Sequence, residues 1–251
     1  EIFGLSVFVA SSERKVLRKI SPLRFCRRVM KLIIDENVRS RFPDLSVLLV
    51  EIDGVEVKEK RDDLEEFKKE VYERIRSRFD LETLKDEPMM RKYRDFFWKI
   101  GIDPTKIRPA AEALIRRILS GKGLPTINTL VDAYNLASAE SCIALAAFDA
   151  EKIEGDLVMR FAEEGEKFLG IGMKSPKTLS GGEIVVADSR SLIAIYPYRD
   201  ADHSKVTLET NRIYLMTCGV PGISLDKLKE AESLAVRYIT KFCGGTLKRL
   251  E

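Results

Sequence analysis

Apolar residues recur at helical spacing in several segments of the chain. Residues 62–79 show this most clearly, because their apolar side chains stay in register along one face of a predicted amphipathic helix. Pro109 suits the start of a further helix, and the glycine pair at 244–245 suits the end of the last one. The helices predicted in this way cover residues 62–79, 87–100, 109–121, 126–138 and 224–243.

Short apolar runs typical of β-strands dominate the second half of the chain. The predicted strands cover residues 30–36, 45–50, 142–148, 157–161, 183–187, 192–196 and 212–217. The Asp53-Gly54 pair is predicted to end the second of these strands in a turn. Because most helices come early and most strands come late, the pattern predicts an α+β fold with mixed β-sheets flanked by helices.

A polar stripe marks the predicted helix over residues 126–138. Asn128, Asp132 and Asn135 are spaced i, i+4 and i+7, so they share one face at helical pitch. The chain has no Gln and only four Asn, whereas a solvated helix face in so charged a protein usually carries Glu, Lys or Arg. Two interpretations remain open: an ordinary exposed polar face, or amides and a carboxylate that point into a pocket and bind a ligand.

Charge and cysteine usage narrow the function classes. Residues 1–29 carry a net charge of +5 and the remainder −2, so the body gives no general argument for nucleic-acid binding. Four widely spaced cysteines and a single histidine predict a reduced cytoplasmic protein without a metal site or cofactor. No apolar run is long enough to span a membrane. Abundant Lys, Arg and Glu without Gln is typical of thermophile proteins.

The first 29 residues differ in character from the rest. An apolar stretch over residues 2–10 precedes a basic one, which is the wrong polarity for a secretory signal. Met30 then opens a strand-like run. We therefore expect Met30 to be the natural start and residues 1–29 to be a non-native or disordered basic extension, with a genuine extension as the alternative. Residues 30–251 are predicted to form one domain.

Two further segments carry groups suited to ligand binding. Paired glycines in residues 179–183 would let a ligand approach the backbone closely, although a β-turn before a strand explains them equally well. Residues 198–210 form a dense polar connection, which is otherwise an ordinary charged loop. The candidate residues in the two segments are Gly181, Gly182, Glu183, Arg199, Asp200 and Thr207. No Ser or Cys has a plausible His–Asp partner set, which argues against a triad hydrolase.

Together, these segments resemble the B3/B4 domain, the editing module of the phenylalanyl-tRNA synthetase β subunit. The resemblance is carried by Ile107-Arg108-Pro109, the segment Thr-Ile-Asn-Thr-Leu-Val-Asp-Ala-Tyr-Asn at 126–135, the Gly-Gly-Glu strand, and Tyr-Arg-Asp…Lys-Val-Thr…Glu-Thr at 198–210. It extends roughly from Met30 to the C-terminus and is nearest to free-standing B3/B4 proteins. A B3/B4-type α+β domain is the fold that it implies.

The resemblance implies hydrolysis, in trans, of the ester bond of mischarged aminoacyl-tRNA at its acceptor end. An aminoacyl ester is already activated, so a positioned water and donors to the oxyanion could suffice without a protein nucleophile. By analogy, the catalytic residues would be Asn128, Asp132 and Glu183. Substrate contacts would come from Arg108, Asn135, Gly181, Gly182, Arg199, Asp200 and Thr207.

A non-catalytic module that binds RNA ends or amino acids is the alternative function. Such a protein would keep the fold and the pocket but would show no turnover. The sequence contains no ATP-binding motif, so we do not expect this chain by itself to join an amino acid to tRNA. No dedicated protein partner and no membrane contact are indicated.

Overall fold

Most helices precede most strands along the chain, and the α+β prediction is confirmed. The computed structural model describes residues 30–250, so the expectation for residues 1–29 lies outside the described part. The helices are α1 (Glu36–Arg41), α2 (Asp62–Arg78), α3 (Pro88–Lys99), α4 (Ala110–Leu119), α5 (Thr129–Ser141) and α6 (Leu225–Cys243). The strands are β1 (Leu32–Ile34), β2 (Val47–Val55), β3 (Ala144–Asp149), β4 (Leu157–Phe161), β5 (Glu164–Phe168), β6 (Lys177–Ser180), β7 (Ile184–Ala187), β8 (Leu192–Ile195), β9 (Arg199–Asp200), β10 (Arg212–Cys218) and β11 (Gly244–Arg249).

The amphipathic helices form where the sequence predicts them, because each apolar stripe has a core to cover. In α2, Val71 and Ile75 are fully buried, while the opposite face carries charged residues. The aromatic residues of α3 are core residues as well, except for Trp98, which is 57% exposed. Ser224 caps α6 by accepting a hydrogen bond from the Lys227 N–H at 3.3 Å. No helix among residues 30–250 is both long enough and apolar enough to cross a membrane.

Two sheets form the centre of the molecule. The first sheet has the strand order β11-β2-β10-β3 and is antiparallel throughout. The second sheet has the order β1-β4-β7-β8-β9, with one parallel pair between β1 and β4. Strands β5 and β6 form a separate hairpin.

Strand β10 shows how the layers are arranged, because successive side chains of a strand point to opposite faces. Ile213 and Leu215 belong to a core shared with α2, α4, α5 and α6. Tyr214 and Met216 belong to a second core shared with α3 and with the second sheet. Strands β10 and β3 of the first sheet are therefore buried on both faces, by helices on one side and by the second sheet with α3 on the other, whereas the edge strand β11 is largely exposed.

At two glycine-containing segments the structure differs from the prediction. The prediction that Asp53-Gly54 ends the second strand is wrong, because β2 continues to Val55 and pairs there with β11. The glycine pair at 244–245 ends α6 but leads directly into β11, a strand that the sequence did not reveal. A Cβ atom on Gly245 would lie 2.9 Å from side-chain carbons of β2, so this close crossing requires glycine.

The start of α5 is fixed by a buried ion pair with α2. The Lys68 ammonium lies 2.7 Å from one oxygen of Asp132, and both side chains are almost fully buried. The other Asp132 oxygen accepts a hydrogen bond from the Ile127 N–H at 3.0 Å. Asn128 caps the helix by accepting a hydrogen bond from the Val131 N–H at 2.9 Å. These contacts hold both the position of α5 and the loop that precedes it.

We expect Asp132→Ala to lower the free energy of unfolding by about 2 kcal/mol, because it removes one of the two carboxylates that pair with the buried Lys68 ammonium and leaves only Glu65, at 2.7 Å. Urea unfolding would measure the change. Glu66→Ala is the matched control on the same helix: it removes an ion pair between two exposed side chains and should change stability little. The double variant Lys68→Met/Asp132→Leu should recover most of the loss. A small effect of Asp132→Ala would show that the pair does not hold α5.

Candidate functional site

A cavity of about 170 Å³ lies between α5 and the two sheets. Its interior is lined by the small or apolar side chains Ala144, Leu145, Ala146, Phe148, Ala194, Ile195, Tyr196, Pro197, Met216 and Cys218. Partly exposed residues surround its opening, namely Ala110, Tyr134, Asn135, Tyr198, Arg199 and Asp200. The site is therefore an apolar recess with a polar opening, the usual form of a small-ligand site.

The recess exists because strand β3 presents alanines to it. Ala144 and Ala146 are two residues apart and so project from the same face of the strand. Ala194 of β8 adds a third small side chain to the lining. Larger side chains at these positions would fill the space, as they do elsewhere between the two sheets.

Asn135 brings an amide to the opening from α5. It is half-buried, and no hydrogen bond within residues 30–250 uses its side chain. A side-chain amide has both a donor and an acceptor, so Asn135 can donate a hydrogen bond to a ligand or accept one from it. It is the member of the polar stripe that reaches the cavity.

Asp200 brings a carboxylate to the same opening from β9. Its side chain accepts no hydrogen bond and forms no ion pair within the described residues. Burial raises the pKa of Asp200 to about 7, and the neighbouring Arg199 charge opposes this shift only in part. Burial also raises the pKa of Tyr134 and of Cys218, so those two side chains stay neutral at physiological pH. Asp200 is therefore the cavity group whose charge changes near neutrality.

Arg199 is directed partly away from Asp200. One guanidinium nitrogen, Nη1, donates to the Ile171 carbonyl at 2.9 Å, and the guanidinium carbon lies 5.3 Å from the centre of the Tyr198 ring. Its Nε is buried without a hydrogen-bond partner. The alkyl part of Arg199 packs on Gly170, where a Cβ would lie only 2.4 Å from the Arg199 Cδ. Glycine at 170 thus allows Arg199 to lie in this position.

Two residues of the polar stripe lie elsewhere. The stripe is not a single helix face, because α5 begins at Thr129 and Asn128 precedes it as the capping residue. Asp132 is 1% exposed, and its two carboxylate oxygens accept hydrogen bonds from the Lys68 ammonium and from the Ile127 N–H. Their predicted catalytic roles are therefore not supported by a shared cavity, and any effect on catalysis would have to act through the placement of α5.

The Gly-Gly-Glu segment forms the turn between β6 and β7, outside the cavity lining. Gly181 and Gly182 have φ values of +83° and +84°, a conformation that favours glycine. One oxygen of Glu183 accepts hydrogen bonds from Ser180, at 3.3 Å from the N–H and 3.2 Å from the hydroxyl. The other oxygen is buried and has no partner among the described residues. Its catalytic role stays a prediction.

The remaining two candidates lie in different places. Thr207 lines a separate open groove of about 630 Å³ together with Asn128. Arg108 is exposed and precedes Ala110, which borders the cavity opening. Of the predicted site residues, the structure thus brings Asn135, Arg199 and Asp200 together around one cavity.

A larger depression, of about 500 Å³, lies between the edges of the two sheets. Several of its charged groups already have partners: Arg212 pairs with Glu51 at 3.4 Å and with Glu151 at 2.8 Å, and Lys248 lies 3.5 Å from Glu51. Satisfied ion pairs do not call for a ligand. The smaller cavity is therefore the better candidate site, because the side chains of Asn135 and Asp200 at its opening have no partner within residues 30–250.

Sequence reasoning missed the residues that shape the cavity. Tyr134 and the alanines Ala144, Ala146 and Ala194 line the cavity, but none of them is among the predicted site residues. Alanines at alternate positions of a buried strand are a usable signal, since they leave volume on one face of a sheet.

Comparison with known proteins assigns the family. The family model of the B3/4 domain matches residues 92–244, which is more than half of the chain and includes every residue that lines the cavity. The chain is 31% identical over 150 residues to the phenylalanine–tRNA ligase beta subunit of Paramagnetospirillum magneticum, covering 51% of this chain and 19% of that protein. The same subunit of Wolbachia sp. subsp. Brugia malayi is 34% identical over 109 residues, covering 43% and 14%.

A solved structure is also similar. It is an N-terminal fragment of the phenylalanyl-tRNA synthetase beta subunit from Pyrococcus horikoshii, with a TM-score of 0.46, 15% identity, and coverage of 88% of this chain and 52% of that one. The chain spans about a fifth or less of the length of the curated relatives named above. The family-model match over residues 92–244 shows that the chain belongs to the B3/4 domain family.

Proposed function

We propose that this chain hydrolyses the ester bond of mischarged aminoacyl-tRNA, with the aminoacyl side chain held in the 170 Å³ cavity. The observation that carries the proposal is the combination of an apolar recess with an opening where the side chains of Asn135 and Asp200 have no partner in the described part of the chain, residues 30–250. An aminoacyl group matches this arrangement, because an apolar side chain would fit the recess while the neighbouring ester and ammonium would need the polar contacts at the opening.

The size of the recess suits one aromatic ring or one branched aliphatic side chain. A dry cavity of about 150 Å³ in another protein admits benzene, so about 170 Å³ is enough for a single ring. The related proteins are named as ligases for phenylalanine, an amino acid with one ring. The proposal therefore places a side chain of this size against the alanines of β3.

Ester hydrolysis at this opening needs few protein groups. Water adds to the ester carbonyl carbon, the bond from that carbon to the ribose oxygen breaks, and the ribose oxygen takes up a proton. The developing oxyanion needs a donor, which the Asn135 amide can supply. Arg199 and Arg108 lie at or near the opening and can contact the sugar or phosphate of the terminal nucleotide.

The other predicted residues enter the proposal indirectly. Asn128 and Asp132 fix the start of α5, and so they set where Asn135 lies along the opening. Glu183 keeps one buried oxygen without a partner, which makes it a candidate acceptor for a substrate group reaching the β6–β7 turn. Glu183→Ala without loss of deacylation would remove that role.

We expect the full chain to release amino acid from at least one member of a panel of tRNAs charged with different labelled amino acids. Asn135→Ala should lower kcat by about 100-fold, the usual cost of removing a donor to an oxyanion. Asn37→Ala, which changes an exposed asparagine on α1, is the matched control and should have no effect. Release that Asn135→Ala leaves unchanged would refute the assigned role. Binding of tRNA without release from any pair would favour the non-catalytic module.

We expect Ala146→Val to reduce kcat/KM at least about tenfold for ring-bearing aminoacyl groups, because the added carbons occupy the recess. Small aminoacyl groups should be affected less. Ala147→Val is the matched control, since Ala147 belongs to the core on the helix side of the same strand. It should cost stability by overpacking but leave the side-chain preference unchanged. Equal effects of the two variants on all substrates would show that the recess does not hold the side chain.

A further inference from the structure

Asp200 is a carboxylate at the opening of the apolar cavity, its side chain has no partner within residues 30–250, and the hydrolytic step described above gives it no role. Such a group is costly to ionise unless a cation or donor meets it. Among the residues that line the cavity, Arg199 is the only cation, and its guanidinium is engaged by the Ile171 carbonyl and the Tyr198 ring. A cationic group of a ligand at the opening would supply the partner that Asp200 lacks within residues 30–250.

We propose that Asp200 binds the free ammonium group of the ligand, so that the site accepts aminoacyl groups with a primary amine and rejects N-acylated ones. This inference rests on the proposed function for the identity of the ligand, but it concerns recognition and not turnover. Recognition of the ammonium by Asp200 would distinguish aminoacyl-tRNA from peptidyl-tRNA and from N-formylated aminoacyl-tRNA, in which the corresponding nitrogen is a neutral amide.

The groups facing Asp200 favour an ammonium over other ligand groups. Tyr134 and Asn135 approach from α5, Tyr198 and Arg199 from the second sheet, and Cys218 from β10. Burial keeps the Tyr134 hydroxyl and the Cys218 thiol uncharged. Because neither group has a positively charged form, neither can balance the charge of an ionised Asp200. An amide nitrogen offers at most a single N–H and no charge, and its acyl substituent would need room beside Asn135.

Recognition of this kind makes binding depend on pH in a defined direction. An ammonium next to Asp200 favours the ionised carboxylate and lowers its pKa from about 7, so the complex releases a proton on forming. Affinity should therefore fall as the pH drops below about 7, up to tenfold per unit. It should fall again above about 8, where an α-amino group loses its proton. A plot of affinity against pH should therefore be bell-shaped, limited on the acid side by protonation of Asp200 and on the basic side by loss of the proton from the ligand amine.

The test uses three probes of equal ring size with the full chain: L-phenylalaninamide, its N-acetyl derivative, and 3-phenylpropanamide, which lacks the amine. Titration calorimetry should show that the amine binds at least about tenfold more tightly than the other two. Asp200→Asn should remove that preference while leaving the weak binding of 3-phenylpropanamide unchanged. Asp202→Asn is the matched control on an exposed, neighbouring carboxylate already paired with Lys205, and it should keep the preference.

Proton release provides a check that needs no variant. At pH 6.5, calorimetry of L-phenylalaninamide in two buffers of different ionisation enthalpy should show net release of protons from the wild-type protein. Equal affinity for the three probes, binding of none of them, or no proton release would overturn the inference. If Asp200→Asn lowers kcat for aminoacyl-tRNA and leaves amine binding intact, Asp200 is a general base and the inference is wrong.

The two proposals fail separately. Selective binding of the amine by a protein that deacylates no tRNA would support the ammonium site and refute the hydrolase. Deacylation that treats N-acetylated and free aminoacyl groups alike would support the hydrolase and refute the ammonium site.

Discussion

The inner strands of the first sheet carry apolar side chains on both faces and have to be covered on both, and the layered arrangement of the molecule follows from this constraint. Strand β10, at its centre, is buried along its whole length and sends alternate side chains into two different cores. The helices α2, α4, α5 and α6 cover one face, and the second sheet with α3 covers the other. The cavity lies where these layers meet beside α5, and it persists because alanines stand where larger side chains would close the space.

The polar groups at the opening come from distant parts of the chain, and each is placed by a different layer. Asn135 depends on α5, which the buried pair between Lys68 and Asp132 ties to α2. Asp200 and Arg199 depend on β9, at the edge of the second sheet. A ligand that touches both sides would therefore join two layers that otherwise meet through apolar packing.

The sequence predicted the five longer helices, because their apolar periodicity is a local property, but it missed the six-residue helix α1, which is too short to show a periodicity. It also identified Asn135, Arg199 and Asp200, which the structure places around one cavity. It could not show that Asp132 is occupied by Lys68, a partner 64 residues away in the sequence. The sequence places Asn128 on the face of the helix, but in the structure it is the capping residue of α5. Asparagine is common both at N-caps and within polar segments, so the residue type alone does not distinguish the two positions. The strands β5, β6, β9 and β11 are short or exposed, so they lack the apolar runs that predict strands.

Different residues determine which ligand side chain fits the recess and which polar groups of the ligand can be bound at its opening. Ala144, Ala146 and Ala194 set the depth of the recess but make no polar contact, while the opening is formed by other residues. If the proposed function holds, exchange of a single small residue at the base of the recess would change which side chain fits and would leave the groups at the opening in place. Such a substitution would lie outside the polar segments by which the sequence resembles the family.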